Sequence, residues 1–304
     1  MRVVFMGTPE FAVPSLQMLA ERHEVALVVT RPDAVRGRGR KLVPSAVKAA
    51  ALTLEIPVLE AARADAEMIE AVTSAQPDVI CVAAYGALLP DAILNAAPYG
   101  CVNVHASLLP RGRGAAPIQH ALLEGDEVVG ASIMRLVQAM DAGPYCRQAT
   151  LEVGEQTCTD VMARLAELGA HELIGALDDM EAGRVRWTEQ DEALVTYVAK
   201  VNKGEMLLDP VDSAIVNRRR VQASLDAAPA RLKVAGRGVR ALDARATAEA
   251  VAAGEVRVAK RRVLLGCSEG ALELLRVKPD GKREMDASAW AAGLRGDGIT
   301  WERA

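Results

Sequence analysis

The sequence predicts an α/β protein, with a mostly parallel sheet covered by helices on both faces and a small β-barrel domain after it. Three observations predict this class. The chain has 304 residues, of which 51% are hydrophobic, enough for two domains with their own cores. Short apolar runs alternate with helix-like stretches through the first half, as in βαβ units. From Leu232 onward the apolar runs are short and β-rich, which is typical of a small barrel.

The elements follow from this pattern in chain order. Apolar runs bounded by turn residues predict strands at residues 3–6, 25–29, 79–83, 101–105, 128–136 and 145–153. Amphipathic stretches predict helices at 14–19, 43–54, 68–72 and 157–180, the last with Thr157 or Thr159 as N-cap and Gly183 as its stop. Runs at 233–234, 255–258, 263–265 and 272–277 predict the barrel strands. We expect an N-terminal domain over residues 1–189, a linker over 190–207 and a C-terminal domain over 208–304.

The cysteines and histidines argue against several kinds of site. The five cysteines are odd in number, scattered and never spaced as C-x-x-C, which argues against a disulfide framework or a zinc knuckle and indicates a reducing cytosol. The four histidines lack the spacing and neighbours of metal ligands, so we expect no metal. No run of about 18 apolar residues is present, and the first apolar run is too short for a signal peptide. We therefore expect no membrane or export role.

Charge is distributed unevenly between the two halves. Residues 1–199 carry 16 Lys and Arg against 26 Asp and Glu, whereas residues 200–304 carry 20 against 14. The basic second half suggests a polyanionic partner, although a solvated basic face explains the charge equally well. In the acidic first half, residues 31–41 hold five cations and one acid. This segment is either a phosphate clamp or a solvated loop.

The strongest chemical pattern lies at the end of the fourth predicted strand of the parallel sheet. Residues two apart on a strand point to the same side, so Asn103 and His105 converge on one bound atom. A lone histidine at a strand end is more often a core residue, but Asn103 and the glycine-flanked loop beyond favour a functional role. Together with the later carboxylate of Asp141, an amide donor and an imidazole suit acyl transfer. Arg111 and Arg113 in that loop are interpreted as surface charges.

Five sequence blocks resemble the folate-dependent formyltransferases. They are FMGTPEFA at residues 5–12, AAYG at 83–86, NVHASLLP at 103–110, RGAAPIQ at 113–119 and DAG at 141–143. Within that group, the start of the chain, the RGAAPIQ run and the basic segment followed by Pro44 and Ser45 resemble the methionyl-tRNA formyltransferases. The family usually has an aromatic residue where this chain has Gly112, a departure that gives the loop more conformational freedom.

The resemblance implies a Rossmann-like formyltransferase domain and a C-terminal barrel resembling an OB-fold. It implies formyl transfer from 10-formyltetrahydrofolate to initiator methionyl-tRNA, with no metal, by a cytoplasmic protein that we expect to be a monomer. The implied catalytic residues are Asn103, His105 and Asp141. The implied folate-binding residues are Tyr85, Gly86, Leu88, Ser107, Leu108, Leu109 and Pro110. The implied tRNA-binding residues are Arg36, Arg38, Arg40 and Lys41.

Three other functions fit parts of the same pattern. A formyltransferase acting on glycinamide ribonucleotide or an amino sugar would keep the three catalytic residues but need no basic C-terminal domain. A formyltetrahydrofolate hydrolase would use water in place of the amine. A noncatalytic RNA-binding protein would use the basic runs at 218–220 and 260–262. Products formed with different acceptors separate these readings.

Overall fold

The computed structural model describes residues 1–36, 41–259, 261–294 and 298–304. The chain forms two compact units, each built from separate segments. The first unit contains Met1–Pro117, Val128–Glu152 and Met162–Val198, and the second contains Ile118–Glu127, Val153–Val161 and Ala199–Ala304. The domain boundaries that we expect at residues 189 and 208 stay a prediction.

Alternating strands and helices fill residues 1–198. The strands are β1 (Arg2–Gly7), β2 (Glu24–Thr30), β3 (Ala34–Arg36), β4 (Lys41–Val43), β5 (Val58–Glu60), β6 (Val79–Ala83), β7 (Cys101–His105), β8 (Arg113–Gly114), β9 (Val128–Arg135), β10 (Tyr145–Glu152) and β11 (Tyr197–Val198). The helices are α1 (Val13–Arg22), α2 (Ala46–Thr53), α3 (Ala66–Ser74), α4 (Asp91–Leu94), α5 (Pro117–Glu124) and α6 (Cys158–Glu181). Short 3₁₀ turns lie at Glu10–Ala12 and Glu192–Leu194.

Seven of these strands form one sheet in the order β10-β9-β7-β6-β1-β2-β5. The five strands from β7 to β5 are parallel, whereas β9 runs antiparallel to β7 and β10 antiparallel to β9. Every residue of β6 and β7 is buried, as expected for parallel strands covered on both faces. The prediction of a mostly parallel α/β sheet is confirmed.

The helix ends follow local capping rules. The second helix begins at Ala46 rather than at residue 43, because Ser45 is its N-cap and accepts a hydrogen bond from the Lys48 amide at 3.0 Å. The hydroxyl of Thr157 likewise accepts from the Asp160 amide at 3.2 Å at the start of α6. Gly183, with a φ of 65°, follows the end of that helix.

A close contact between α6 and the sheet decides which way the residues of β7 point. Gly169 on α6 lies so near Val104 that a Cβ there would be 2.5 Å from Val104 Cγ1. Val104 therefore faces the helix. Its neighbours Asn103 and His105 point to the opposite side of the sheet, because side chains alternate along a strand.

The second unit is built on an antiparallel sheet that forms a half-barrel. Its strands are β12 (Arg231–Val234), β13 (Arg237–Thr247), β14 (Val256–Ala259), β15 (Arg262–Gly266), β16 (Ala271–Pro279), β17 (Met285–Asp286) and β18 (Trp301–Arg303), with helices α7 (Ala214–Gln222) and α8 (Ala287–Ala291). The order is β14-β15-β16-β13-β12-β18, with β17 paired to β16. A bridge between Glu255 and Thr300 links the two ends of the sheet. The predicted C-terminal β domain is confirmed.

A buried carboxylate stabilises the half-barrel sheet. Glu273 on β16 is only 3% exposed and lies opposite Arg245 of β13. The Arg262 guanidinium donates to both of its oxygens at 2.8 Å, and Arg245 donates to one at 2.9 Å. Hydrogen bonding to Arg262, with a smaller contribution from Arg245, lowers the pKa of the Glu273 carboxyl.

We expect Glu273→Gln to destabilise the second unit by about 2 kcal/mol at pH 7, because charge-assisted hydrogen bonds are lost. Since the pKa of Glu273 is lower when folded than when unfolded, its contribution is complete above the unfolded pKa of about 4.3 and is lost as pH falls through the folded pKa. Urea unfolding between pH 7 and pH 3, followed by Trp290 and Trp301 fluorescence, measures the difference between variant and parent.

The matched control is Glu284→Gln. Like Glu273, Glu284 pairs with an arginine, in this case Arg276 of β16 at 2.8 Å. Both of these side chains are more than half exposed. The control should therefore change the free energy of unfolding by less than about 1 kcal/mol. A difference between Glu273→Gln and the parent that does not change with pH would contradict the interpretation.

No helix in the described ranges combines the length and the apolar character needed to span a bilayer.

Candidate active site

The candidate catalytic residues lie at the carboxyl end of the parallel sheet, where ligands of α/β proteins bind. His105 is the last residue of β7, which lies between β6 and β9 in the sheet. Asn103 and His105 are buried, at 9% and 6% exposure, and point away from α6. In the described part of the chain the side-chain amide of Asn103 has no hydrogen-bond partner. Its NH2 group is therefore available to a bound oxygen.

The contacts of the His105 ring define its tautomer. The Nε2 atom lies 3.0 Å from the Gly112 carbonyl oxygen. Because a carbonyl only accepts, Nε2 carries the proton and donates it. In the neutral ring the lone pair is then on Nδ1, which lies 3.9 Å from Oδ1 of Asp141. That separation is too long for a hydrogen bond but close enough for the carboxylate to stabilise a proton arriving at Nδ1.

Asp141 is held in an uncommon backbone conformation. Its φ is 50°, in the left-handed region that Asp and Asn tolerate better than most residues. The Gly114 amide donates to Oδ2 at 2.9 Å, so the other oxygen remains toward His105. The structure thus brings His105 and Asp141 together, beside Asn103 on the same strand face.

The predicted folate segment after β7 is held tightly on the antiparallel edge of the sheet. Ser132 of β9 donates to the Ser107 carbonyl at 2.6 Å and accepts from the Leu109 amide at 3.1 Å. Leu108 lies against Gly130, where a Cβ would be 2.4 Å from Leu108 Cδ2. Leu109 is buried, and the bond that joins it to Pro110 is cis. The contacts with Ser132 and Gly130 thus hold the segment that follows His105 against β9.

The second predicted folate segment follows β6. The side chain of Tyr85 is buried, and its hydroxyl donates to the Ala61 carbonyl at 3.2 Å. Its carbonyl oxygen accepts a hydrogen bond from the Thr8 hydroxyl at 3.0 Å, so Tyr85 is enclosed and its neighbours in the loop carry the accessible surface. Gly86, with a φ of 84°, and Leu88, which is 85% exposed, remain accessible. A depression of about 640 Å³ adjoins them, lined by Leu88, Leu89, Pro90, Arg63 and Gln138 among others.

Two of the predicted tRNA-binding residues, Arg36 and Lys41, lie on the short strands β3 and β4. Strands β3 and β4 pair antiparallel, with Arg36 opposite Lys41. Arg38 and Arg40 lie outside the described residues. Val35 and Leu42 of the hairpin are both more than half exposed.

The basic runs that an RNA-binding protein would use are engaged within the second unit. Arg218 pairs with Glu155 at 2.6 Å, Arg220 pairs with Asp212, and Arg219 packs over Gly125. Arg262 pairs with Glu273, whereas Lys260 lies outside the described residues. These contacts weaken the interpretation of 218–220 as a free RNA-binding surface.

The interpretation of Arg113 as a surface charge is wrong. Its side chain is 1% exposed and donates to Gln190 at 2.9 Å and to Glu192 at 2.8 Å. These partners come from a segment that we expected to be linker, so no local pattern indicates the contact. Gln190 was missed for the same reason, and it also donates to the carbonyl of Asp141.

The cysteine thiols are poorly suited to nucleophilic chemistry at neutral pH. All five cysteines are free, and burial raises the pKa of Cys101 and Cys158 to about 12. Burial raises that of Cys146 to about 11. Thiolate nucleophiles are therefore scarce at neutral pH. Among the described residues, no cluster of three or more His, Cys, Asp or Glu side chains is arranged to hold a metal ion.

The chain is similar to known formyltransferases over nearly its whole length. Residues 1–177 match the family "Formyl transferase" and residues 200–295 match "Formyl transferase, C-terminal domain". A methionyl-tRNA formyltransferase of Nocardioides sp. is 42% identical over 303 residues, covering 97% of this chain and 96% of that protein. That of Methylococcus capsulatus is 41% identical over 292 residues, covering 94% and 95%.

A solved structure shares the fold at low identity. The methionyl-tRNA formyltransferase from Clostridium thermocellum superposes with a TM-score of 0.58 at 14% identity, covering 81% of this chain and 94% of that one. The fold class is thereby confirmed. The full-length identity of about 40% decides the family, and this chain belongs to the methionyl-tRNA formyltransferases.

Proposed function

We propose that this enzyme formylates the α-amino group of methionine on initiator methionyl-tRNA, with 10-formyltetrahydrofolate as donor, and that Asn103, His105 and Asp141 carry out the transfer. The full-length identity of about 40% to methionyl-tRNA formyltransferases carries the proposal. The geometry around His105 supports the assignment of roles, because it combines an available donor, an imidazole and a carboxylate at the ligand-binding edge of the sheet.

In the reaction, the methionine nitrogen attacks the formyl carbon and a new C–N bond forms. Negative charge then develops on the formyl oxygen, and donors aimed at that oxygen lower the barrier. The Asn103 NH2 group is such a donor. The bond between the formyl carbon and N10 of the folate then breaks, giving formyl-methionyl-tRNA and tetrahydrofolate.

The attacking amine loses a proton and the leaving folate nitrogen gains one. Nδ1 of His105 accepts the proton, because Nε2 is already protonated and bound to Gly112. The Asp141 carboxylate, 3.9 Å away, stabilises the imidazolium that forms. Once protonated, Nδ1 is also a donor for the developing oxyanion, and it returns the proton to the folate nitrogen.

The folate donor binds between the two loops that follow β6 and β7. The exposed Gly86 and Leu88, which follow the buried Tyr85, form one side of this site. The segment from Ser107 to Pro110 forms the other, with the buried Leu109 and Leu108, packed against Gly130, as its base. The depression beside Leu88 and Leu89 supports the first of these sides, since it is a concave surface next to the loop after β6.

The acceptor end of the tRNA binds at the β3–β4 hairpin through Arg36, Arg38, Arg40 and Lys41. We expect replacement of all four by Ala to weaken tRNA binding and to reduce the slope of log Kd against log salt concentration by about 3, because about four fewer counterions are released. Filter binding between 50 and 300 mM salt measures the slope.

The matched control replaces Arg22 and Arg184 by Ala. These cations pair with Asp178 and Asp179 at 3.5 and 3.3 Å. Their loss should leave the salt slope unchanged. An unchanged slope in the four-residue variant itself would contradict the role of the hairpin.

Product formation with different acceptors tests the proposed function. The protein is incubated with 10-formyltetrahydrofolate and, separately, initiator methionyl-tRNA, elongator methionyl-tRNA, glycinamide ribonucleotide, an amino sugar nucleotide or no acceptor. Formylation of initiator methionyl-tRNA is expected. Formylation of a small acceptor, or formate release without acceptor, would identify one of the alternative functions, and absence of product with tRNA binding would identify a noncatalytic protein.

The cellular setting is also part of the proposal. Five free cysteines suit the reducing cytoplasm, where tRNA and folate are available. We propose a monomer, and light scattering at micromolar concentration tests it.

A further inference from the structure

We propose that Gln190 is a positioning residue for catalysis, which holds the Asp141 loop so that the carboxylate meets His105. This inference rests on the proposed roles of Asp141 and His105. It concerns the segment from Gln190 to Val198, which lies in the first unit but which we expected to be linker.

Both ends of the Gln190 side-chain amide form hydrogen bonds with the loops around the candidate active site. It is buried, and its Nε2 donates to the carbonyls of Asp141 at 2.8 Å and Gly143 at 2.7 Å. Its Oε1 accepts from Arg113 Nε at 2.9 Å. Both N–H donors and the amide oxygen are therefore engaged with three residues that are distant in sequence.

The chemistry of these partners defines the orientation of the amide. Backbone carbonyls only accept, so the NH2 group must face Asp141 and Gly143. The Arg113 guanidinium only donates, so the amide oxygen must face it. If the amide were flipped, its oxygen would face the two carbonyl oxygens and its NH2 group would face the N–H group of Arg113. The position therefore requires one donor end and one acceptor end, which no aliphatic or acidic side chain supplies.

The loop that Gln190 binds contains Asp141, whose backbone conformation is unfavourable. Asp141 has a φ of 50°, a conformation that costs energy and persists only where the surroundings impose it. Gln190 binds the backbone of Asp141, while the Gly114 amide binds its carboxylate at 2.9 Å. Without the two bonds from Gln190, the carbonyls of the loop lose their buried donors and the loop relaxes.

The same segment also holds the loop that contacts His105. The Thr196 hydroxyl accepts from the Gly112 amide at 2.9 Å, and the Thr196 carbonyl accepts from the Arg113 amide at 2.9 Å. The Gly112 carbonyl in turn accepts from His105. The segment from Gln190 to Val198 thus supports both partners of the His105 ring, Gly112 and Asp141.

The isosteric variant Gln190→Glu isolates the contact with the Asp141 loop. A carboxylate still accepts from Arg113, but it presents oxygens to the two carbonyls. We expect kcat per folded molecule to fall about 10- to 100-fold, because a shift of about 1 Å in a catalytic group has an effect of that size. KM for methionyl-tRNA and for the folate donor should stay within about threefold, since neither substrate loses a contact.

A double-mutant cycle with Asp141→Asn separates positioning from a general structural role. If Gln190 acts through the Asp141 carboxylate, Gln190→Glu should lower kcat by less than about threefold when Asn already occupies position 141. Single-turnover rates are divided by the concentration of folded protein, which is determined by titrating the donor-binding sites. Glu189→Gln, at an exposed neighbouring position, is the matched control and should leave kcat and KM unchanged.

Two results would overturn the inference. One is a kcat for folded Gln190→Glu within threefold of the parent. The other is an equal loss of kcat in the parent and Asp141→Asn backgrounds, which would mean that Gln190 acts independently of Asp141. If Gln190→Glu does not fold, Gln190→Asn, which keeps the amide but is one methylene shorter, is placed in the same cycle. Full activity of Asp141→Asn alone would instead overturn the proposed catalytic roles.

Discussion

His105→Ala is expected to lower kcat for formylation of methionyl-tRNA by about 100- to 10,000-fold, the range that general acid–base groups contribute. The variant loses both the acceptor at Nδ1 and the imidazolium that Asp141 stabilises across 3.9 Å. The hydrogen bond from Nε2 to the Gly112 carbonyl is lost as well. Single-turnover formylation with saturating donor measures the chemical step, and tRNA affinity, measured separately, should remain close to that of the parent.

The matched control for this prediction is His171→Ala. His171 lies on α6 and is exposed, so its removal should change kcat less than twofold. A His105→Ala protein that turns over within threefold of the parent would exclude His105 as the acid–base group. A variant that has lost tRNA affinity along with turnover would contradict a role confined to the chemical step.

Asn103→Ala is expected to lower kcat by about 100- to 1,000-fold, as does removal of one donor from an oxyanion hole. The side-chain amide is buried on β7 and lies on the side of the sheet that His105 faces. Its hydrogen bond to the substrate strengthens only as charge develops on the formyl oxygen. KM for both substrates should therefore change little, and steady-state kinetics with each substrate varied measures kcat and KM separately.

Asn95→Ala is the matched control, because Asn95 is exposed and its side-chain amide donates to the nearby Asp91 carbonyl at 3.0 Å. It should have the activity of the parent. An Asn103→Ala variant in which KM rises while kcat is unchanged would show that Asn103 binds the ground state, and would contradict its role as an oxyanion donor.

Much of the fold could be predicted because parallel strands buried on both faces are continuous apolar runs. The strands at β1, β2, β6 and β7 follow directly from such runs. Helices α7 and α8 could not be predicted in the same way. α7 carries three consecutive arginines, Arg218 to Arg220, whose partners Glu155, Gly125 and Asp212 include residues far away in the chain. Tertiary pairing, not local pattern, makes such a helix stable.

Some features of the candidate site could likewise be predicted from the sequence, and others could not. The two-residue period of a strand is sufficient to place Asn103 and His105 on one face, and Val104 against Gly169 of α6 agrees with it. The burial of Arg113 could not be predicted, because charged side chains are normally exposed unless they are paired. Its partners Gln190, Glu192 and Tyr197 lie 77 to 84 residues further along the chain.

The sequence alone determined the fold class, the converging pair of Asn103 and His105 and the formyltransferase motifs, because these depend on periodicity and on residue types close together in the chain. Only the tertiary structure decided that Nδ1 of His105 faces Asp141, that Arg113 is buried and that Gln190 holds the Asp141 loop. It also assigned Ile118–Glu127 and Val153–Val161 to the second unit. The physical reason is that hydrogen bonds between segments far apart in the chain depend on where folding brings them, and no local spacing carries that information.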